Sequence, residues 1–216
     1  MPQSNHPAPS TRTRVKRSAD NARYDTQTLH DILDAAYVCH VAFADDKGTH
    51  CIPTACWREG GHLYIHGSNG GRLCKQLLSG IQACVTITHI DGLVLARAAF
   101  NHSMNYRSAM IYGVFEAVTI ASEKRYAMEN FMEKIAVGRQ ADVRPGNDKE
   151  YAATTVLRIS LDEAVCKTRT GGPNDDAEDL HLPTWAGVLP LGVQKLPAIA
   201  VDENQAATPR YVSTWA

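Results

Sequence analysis

One glycine-rich stretch, IHGSNGGRLCKQLLSG at residues 65–80, combines residue types that bind anions. Its three glycines before Arg72 fit neither the Walker A nor the dinucleotide-binding spacing, so neither of these nucleotide loops is predicted. The run that follows predicts a short helix capped by Gly80, with Arg72 in its first turn. A cation there opposes the helix dipole unless an anion lies nearby. The stretch therefore indicates a phosphate site at Arg72, and the alternative is a glycine-rich turn with a solvated arginine.

His66 and the segment Asn105–Ser108 carry the other polar groups of interest. His66 ends a predicted strand just before the loop, where it either donates a proton to a ligand or serves as a structural residue. The segment crowds donors and an aromatic ring before an apolar strand, and the forked donors of Arg107 suit phosphate or carboxylate. The alternative for Arg107 is an ion pair with an acidic residue. The four residues of this segment are Asn105, Tyr106, Arg107 and Ser108.

The strand CIPTACW, residues 51–57, contains a proline. Proline lacks the N–H that a sheet ladder needs, so its position predicts an edge or a bulge where main-chain groups face a ligand. Cys51 and Cys56 lie near His50, but alternation along a strand places the two thiols on opposite faces. We therefore predict no metal site.

The composition is that of an ordinary globular protein. The 216 residues include 22 Lys and Arg and 23 Asp and Glu, and the formal net charge of -1 favours neither nucleic acid nor an anionic membrane as a partner. The N-terminus lacks an apolar signal region, and no stretch approaches the roughly 18 apolar residues of a membrane span. Six cysteines lie mostly in apolar runs, as reduced core thiols do. We therefore expect a cytoplasmic protein of one domain.

Hydrophobic periodicity positions these residues on short strands and a few helices. Three strands in meander order are predicted at 37–44, 49–57 and 62–66, and Asp-Gly at 91–92 predicts a tight hairpin. Further strands follow at 107–120 and on both sides of Asp162. The predicted helices are one capped by Asp25, the short one after the glycine-rich loop, and an amphipathic one over 122–137 that turns Tyr126, Phe131, Met132 and Ile135 to one face.

Six or more short strands with few helices predict a mainly β fold with peripheral helices, a small antiparallel β-barrel whose closure removes exposed edges. Residues 1–20 are rich in Pro, Ser and Arg and predict a flexible basic arm, which is either solvated or folded over an anionic ligand. The barrel domain is predicted over 21–190, with an irregular tail over 191–216.

Taken together, these stretches resemble the pyridoxamine 5'-phosphate oxidase-like FMN-binding split-barrel superfamily, and within it the branch of flavin-nucleotide-binding and nitroimidazole-reductase-like proteins. The resemblance extends from Arg14 to Pro190. It rests on RVKRSADNARYD, HVAFADDKGTHCIPTACW, LYIHGS with the following GGR, DGLVLARAAF, HSMNYRSAMIYG and PTWAGVLP.

The resemblance implies a six-stranded Greek-key split barrel that forms a homodimer, with FMN in clefts at the subunit interface. By position, the main chain of Ile52, Pro53 and Thr54 would meet the polar edge of the flavin ring. His66 and Ser68 would lie near the flavin, Gly71 and Arg72 at its phosphate, and Trp185 over the cofactor. The segment Asn105–Ser108 would also line the cofactor, with Arg107 and Ser108 on the phosphate.

The implied activity is that of an FMN-dependent oxidoreductase with an unidentified small organic substrate and NADH, NADPH or another small donor. His66 is the candidate proton donor. The basic strand motif and the C-terminal arginine signature of the true oxidase are absent, so we do not expect pyridoxamine phosphate as the substrate. Two alternatives stay open, namely a flavin-binding or sensor protein without turnover, and a haem-binding split barrel in which His66 or His102 ligates iron.

Overall fold

The computed structural model describes residues 7–216. Its strands pair in antiparallel fashion in the order β1-β9-β6-β5-β2-β3-β4-β8-β7, and β10 pairs with β5 away from this path. The strands are β1 Ala22–Arg23, β2 Val38–Asp45, β3 Gly48–Glu59, β4 His62–Ser68, β5 Ala83–Leu95, β6 Ser103–Gly113, β7 Glu116–Ala117, β8 Thr154–Ser160, β9 Ala164–Arg169 and β10 Gly187–Pro190. The helices are α1 Thr26–Asp34, α2 Arg72–Leu78, α3 Ala121–Ile135, α4 Asp148–Ala153 and α5 Arg210–Ser213.

This architecture confirms the predicted mainly antiparallel β fold with peripheral helices. The strand count differs, because the described residues form ten strands rather than six. Backbone pairing also leaves the strand path open rather than closing it. The sheet bends around one main core, to which β2, β3, β4, β5, β6, β8 and β9 contribute and into which α1 and α2 also pack.

Two predicted helix ends form as the sequence indicates. The Asp25 side chain accepts the N–H of Thr28 at 2.8 Å and caps α1. Gly80 follows α2 in the left-handed region at φ 81°, a conformation that costs glycine little. Helix α3 forms as well, but only part of its predicted apolar face is covered, since Tyr126 is 56% exposed and Ile135 is 44% exposed.

The hairpin predicted at Asp91-Gly92 is wrong. β5 continues through these residues as a single strand of 13 residues, with a register shift between Ile90 and Gly92. The bulge directs Asp91 toward Arg107 on β6. A Cβ at Gly92 would lie 3.0 Å from the Val188 side chain, so glycine here serves the close approach of β10 rather than a turn.

The described part of the N-terminal arm contacts the sheet, although the sequence predicts a flexible segment. The Arg12 guanidinium lies 4.7 Å above the Tyr112 ring and forms an ion pair with Glu163. Thr13 is buried, and the Tyr24 hydroxyl accepts the N–H of Val15. Residues 1–6 of the predicted arm lie outside the described residues. In the part of the chain that is described, no helix combines the length and apolar character that crossing a membrane requires.

Candidate functional site

The part of β3 that contains CIPTAC has one unpaired edge. Residues 48–55 pair with β2, whereas only residues 56–59 pair with β4. No strand in the described chain pairs with the other edge of residues 48–55. The sheet therefore divides here, with β2 following the first half of β3 and β4 following the second half. We call this unpaired edge the β3 cleft.

Pro53 fits this edge without a bulge, because the β2–β3 register runs unbroken through it. Cys56 donates its N–H to the Tyr37 carbonyl, so hydrogen-bonded pairs alternate from there along the ladder. The main-chain groups of Ile52 and Thr54 consequently face β2, and those of Pro53 face the cleft. Of the three residues predicted to meet a ring with their main chain, the structure directs only Pro53 to the open edge.

Arg72 lies at the hairpin end of the cleft. Its NH2 donates to Asp45 Oδ2 at 2.8 Å and lies 2.7 Å from His50 Nε2, and His50 Nε2 is also 2.8 Å from Asp45 Oδ1. The Arg72 guanidinium, and after it the His50 ring, hold the pKa of the Asp45 carboxyl well below its usual range. The Asp45 side chain is 7% exposed and that of Arg72 is 49% exposed. The buried Asp45 carboxylate thus holds NH2 of Arg72, and the other side of the guanidinium is open to solvent.

The loop before Arg72 is held in place by contacts that leave little room. A Cβ at Gly67 would lie 2.8 Å from Cys74 Sγ, so glycine allows α2 to pack against the end of β4. Gly71 donates its N–H to the Ser68 carbonyl at 2.9 Å. Asn69 donates to the Ala152 carbonyl at 2.6 Å and fastens the loop to the end of α4. These contacts fix where Arg72 leaves the backbone.

His66 lies where β3 and β4 separate, level with Ala55 in the register that pairs Cys56 with Ile65. Its ring packs 4.6 Å from the Phe131 ring and 5.9 Å from the Trp57 ring, measured between centroids. Burial lowers the pKa of His66. Nδ1 is buried without a hydrogen-bond partner, and within the described residues Nε2 forms no hydrogen bond either. His66 therefore borders the cleft by its position in β4, and its ring, with both nitrogens free of hydrogen bonds to the described residues, packs against Trp57 and Phe131.

These features lie in order along β3. His50 marks the Arg72 end, Pro53 the middle and Ala55 the His66 end, a span of about 17 Å at the usual strand rise. Cys51 and Pro53 are exposed, while the alternating Ile52 packs against the core. An anion-binding side chain, an open strand edge and a histidine are thus arranged in sequence along one strand of one chain.

The segment Asn105–Ser108 lies elsewhere in the same chain. Arg107 is opposite His89 on β5, and β2 separates β5 from β3. The strand registers place His50 level with Gly113 of β6, and Arg107 lies six residues from Gly113, about 20 Å along the strand. Three strand spacings of about 4.8 Å each separate β3 from β6 as well. Arg72 and Arg107 therefore cannot reach one phosphate within a single chain.

Most polar groups of this second segment already have partners. Arg107 Nε and NH2 each donate to Asp91 at 2.9 Å, as in the ion-pair alternative for this residue. Asn105 is buried and donates to the Gly171 carbonyl at 3.1 Å. Ser108 Oγ has one weak contact, 3.4 Å to the Lys167 carbonyl, and Tyr106 is half-buried.

Trp185 is 62% exposed and lies just before β10. β10 pairs with residues 92–95 of β5. Thr86 marks the level of Pro53 on β5, because Pro53 pairs with His40 on β2 and His40 pairs with Thr86. Gly187 is opposite Leu95, nine residues from Thr86 and about 30 Å along the strand. Trp185 therefore does not approach the β3 cleft of its own chain.

Three residues near the cleft were not predicted from sequence. Asp45 and His50 form the support of Arg72, and Asn69 holds the loop. The turn Asp45-Asp46-Lys47-Gly48 signalled only a hairpin, and nothing in the sequence pairs it with Arg72, which lies 27 positions after Asp45. The described residues contain no group of His, Cys, Asp and Glu able to hold a metal ion.

The sequence matches the family described as pyridoxamine 5'-phosphate oxidase over residues 25–168. That range contains the whole β3 cleft, the loop with Arg72 and the segment Asn105–Ser108. The chain belongs to this family. No match was found among the curated proteins.

Two solved structures of the family are similar along most or all of the chain. The flavocytochrome Anf3 from Azotobacter vinelandii is 40% identical, with 100% of this chain and 99% of that chain covered and a TM-score of 0.92. An FAD- and haem-binding protein from Mycobacterium smegmatis is 32% identical, with 90% and 97% covered and a TM-score of 0.86. A protein from Bacteroides thetaiotaomicron named for 5-nitroimidazole antibiotic resistance shares the fold at 24% identity, with 68% and 85% covered and a TM-score of 0.57.

Proposed function

We propose that this chain is a cytoplasmic, homodimeric, flavin-dependent oxidoreductase. It would pass electrons from NADH, NADPH or another small donor to an organic acceptor. The observation that carries the proposal is the β3 cleft, because one strand aligns Arg72 with its free donors, an open edge at Pro53 and a neutral His66. Family membership supports a flavin as the ligand of such a cleft.

The residues present fit the ring, ribityl chain and phosphate that FMN and FAD share. Arg72 uses only NH2 for contacts within the described chain, which leaves Nε and NH1 for phosphate oxygens. His50 and Pro53 are three residues apart along β3, about 10 Å, so a phosphate at Arg72 would bring a ribityl chain and ring alongside Pro53. We retain FMN as the proposed cofactor. FAD is the specific alternative, because the Mycobacterium smegmatis relative is named as an FAD-binding protein.

A flavin bound here would supply the redox chemistry, and the chain would position the reactants. Arg72 would hold the phosphate, and the edge at Pro53 would orient the ring. The pKa of His66 is lowered by burial, so the imidazole is neutral at physiological pH and Nε2 is available to donate or accept a proton at the cleft. Trp57 and Phe131 keep the His66 ring in place and exclude water from one side of it.

The homodimer is proposed from an uncharged sheet face. The outward-facing positions of β2, the first half of β3, β5 and β6 contain no Asp, Glu, Lys or Arg. Several apolar side chains there are exposed in the single chain, namely Val38 at 49%, Ile90 at 41% and Met104 at 50%. A second copy would cover this face and bring its own Tyr106, Ser108 and Trp185 toward the cleft, as the resemblance implies.

Thr88→Arg tests the dimer, because Thr88 lies exposed on the uncharged face. We expect the variant to be monomeric by light scattering after gel filtration, because a buried, unpaired charge is costly. Thr119→Arg, at an exposed position outside this face, is the control and should stay dimeric. A monomeric wild-type protein would refute the dimer and leave the cleft of one chain as the whole site.

The cofactor and the activity are tested on the purified protein. We expect a flavin absorbance band, and mass spectrometry of the flavin released by denaturation distinguishes FMN from FAD. Anaerobic addition of NADH or NADPH should bleach the band, and an acceptor should restore it repeatedly. A flavin that no small donor reduces would support the sensor alternative instead, and a protein that binds no flavin would overturn the proposal.

Haem is a second candidate ligand, because the relative from Mycobacterium smegmatis is named for FAD and haem and Anf3 is named a flavocytochrome. In this chain both nitrogens of the His66 ring are free of hydrogen bonds to the described residues. His102 is also suited to ligation, since Nδ1 lies 3.1 Å from the Ala98 carbonyl and leaves Nε2 available. Addition of haemin should produce a Soret band, and the loss of this band in His66→Ala or in His102→Ala would assign the ligand.

A further inference from the structure

No protonation state of the His50 ring satisfies both contacts of Nε2. Nε2 is 2.7 Å from a nitrogen of Arg72 and 2.8 Å from an oxygen of Asp45. Arginine only donates hydrogen bonds and an ionised carboxylate only accepts them, so Nε2 would have to accept from one and donate to the other. A single ring nitrogen does only one of these at a time. One of the two contacts must yield when the ring settles in either form.

The contact between Arg72 and His50 is the one that yields. Arg72 also donates directly to Asp45 Oδ2 at 2.8 Å, so the guanidinium stays anchored without the histidine. Asp45 is almost fully covered, and its Oδ1 faces His50. A donated Nε2–H joins the Lys47 N–H on this buried oxygen, whereas the half-exposed Arg72 can move its guanidinium away from the ring.

With Nε2 committed to Asp45, the other nitrogen of the ring faces Arg72. Nδ1 lies 3.5 Å from Arg72 NH2 and has no other hydrogen-bond partner in the described chain. The His50 side chain is 19% exposed and that of Arg72 is 49% exposed, so both groups reach solvent at the same point. An anion bound to Arg72 on its solvent side would therefore lie close to Nδ1.

Charge decides which form of His50 such an anion selects. In the absence of an anion, Asp45 already neutralises Arg72, and an arriving phosphate dianion would meet a pair of zero net charge. A proton on His50 restores one positive charge and makes both ring nitrogens donors. The charged groups facing the ring are Asp45 from β2 and Arg72 from α2; from the turn, Lys47 contributes its backbone N–H to Asp45. The remaining ring neighbour is Phe43, whose centroid is 5.1 Å away.

From this geometry we infer that His50 is a second phosphate ligand, and that it takes up a proton from solvent when a phosphate monoester binds at Arg72. Nε2–H then donates to Asp45 and Nδ1–H donates to the phosphate, while Arg72 donates from the other side. Asp45 acts as a positioning residue. This inference deepens the proposed function, on which the identity of the phosphate as that of a flavin rests.

Isothermal titration with inorganic phosphate tests the proton uptake. The titration is run on the wild-type protein at about pH 7.5–8, above the ordinary range of imidazole, in two buffers of different ionisation enthalpy. We expect uptake of up to one proton per phosphate dianion bound. Binding without proton uptake would overturn the inference, as would the absence of binding.

Variants separate the roles of the two supporting residues. His50→Gln should abolish the uptake and raise the dissociation constant for phosphate about tenfold, the loss of one charge-assisted hydrogen bond. Asp45→Asn should also lower the uptake, because no carboxylate then stabilises the proton on His50. His62→Gln, on β4, is the matched control and should behave as wild type. Equal effects of His50→Gln and His62→Gln would refute the role of His50.

A spectroscopic measurement on the wild-type protein guards against misfolded variants. In nitrogen-15 spectra, phosphate should move both ring nitrogens of His50 to the values of a protonated imidazole, and an unchanged His50 would refute the inference. Comparison of FMN with riboflavin identifies the source of the phosphate. FMN should cause proton uptake and riboflavin, which lacks the phosphate, should not. Uptake with inorganic phosphate but no binding of either flavin would overturn the proposed function and leave the anion site standing.

Discussion

The molecule contains two comparable arginine–aspartate pairs, Arg72–Asp45 and Arg107–Asp91. They differ in how many guanidinium donors remain available to a ligand. Arg107 commits Nε and NH2 to Asp91 in a two-pronged pair at 2.9 Å. Arg72 touches Asp45 through NH2 alone. The Asp45 side chain is 7% exposed and that of Asp91 is 32% exposed.

The difference shows how an arginine can be both held and available. A buried carboxylate that takes one donor orients the guanidinium and leaves its remaining donors to a ligand. A carboxylate that accepts from two nitrogens of the guanidinium leaves fewer donors for a ligand, and the ion pair then only links two strands. By this criterion Arg72 is the ligand-binding arginine of a single chain and Arg107 fastens β6 to the bulge of β5.

Arg72→Ala should have the largest effect on ligand binding. Loss of a charge-assisted hydrogen bond should weaken flavin binding by about 1.5–3 kcal/mol with the fold intact, measured by flavin fluorescence titration. Arg125→Ala is the matched control, because Arg125 is 43% exposed and also forms an ion pair, with Asp148 at 2.6 Å. Full flavin occupancy with unchanged affinity in Arg72→Ala would move the phosphate site away from this loop.

Gly67→Ala should disturb the support of Arg72 without removing any charge. The new Cβ would lie 2.8 Å from Sγ of the buried Cys74, so the thiol must rotate or α2 must shift. We expect a loss of about 1–3 kcal/mol in the free energy of unfolding and weaker flavin binding. Gly70→Ala in the same loop meets no atom within 4 Å and should change neither quantity.

Gly92→Ala is the corresponding change in the second region. Its Cβ would lie 3.0 Å from the Val188 side chain, so it should loosen β10 and leave flavin affinity unchanged. Urea unfolding and flavin titration of the three glycine variants separate the two regions. A loss of flavin in Gly92→Ala as large as in Gly67→Ala would mean that the regions act as one site.

His66 should make stability depend on pH in a defined direction. Burial lowers its pKa in the folded protein, so below the ordinary pKa the unfolded chain binds more protons. Stability is then lost as pH falls through the unfolded value of about 6.5. His66→Phe keeps a ring beside Trp57 and Phe131 and should flatten thermal unfolding between about pH 7.5 and 5.5. An unchanged pH profile would show that His66 is not desolvated.

Arg107→Ala should have the smallest effect. Both partners of the pair are about one-third exposed, and such pairs contribute about 0–1 kcal/mol. We expect a small loss in the free energy of unfolding and little change in flavin affinity. A loss of affinity comparable to that of Arg72→Ala would break the contrast, and it would show that Arg107 of a second copy contacts the phosphate in the dimer.

Much of the local structure follows from the sequence because it depends on short-range rules. The cap at Asp25, the cap at Gly80 and the three strands before the loop formed within a few residues of their predicted bounds. The hairpin predicted at Asp91-Gly92 was wrong because two neighbours, β6 and β10, hold β5 straight on both sides. The preference of two residues for a turn is weaker than the backbone hydrogen bonds that β5 forms with two neighbouring strands.

Some features of the candidate site depend on residues that are close in the sequence, and others depend on residues that only the fold brings together. The sequence by itself determined a mainly β fold, a glycine-rich loop with Arg72 at its end and a proline at a strand edge, since each depends on residues close together in the chain. Only the tertiary structure decided that Asp45 and His50 support Arg72, that Asp91 consumes Arg107, and that the two arginines lie apart. These outcomes depend on strand order and register, which the hydrophobic pattern of one sequence leaves open because many pairings bury the same side chains.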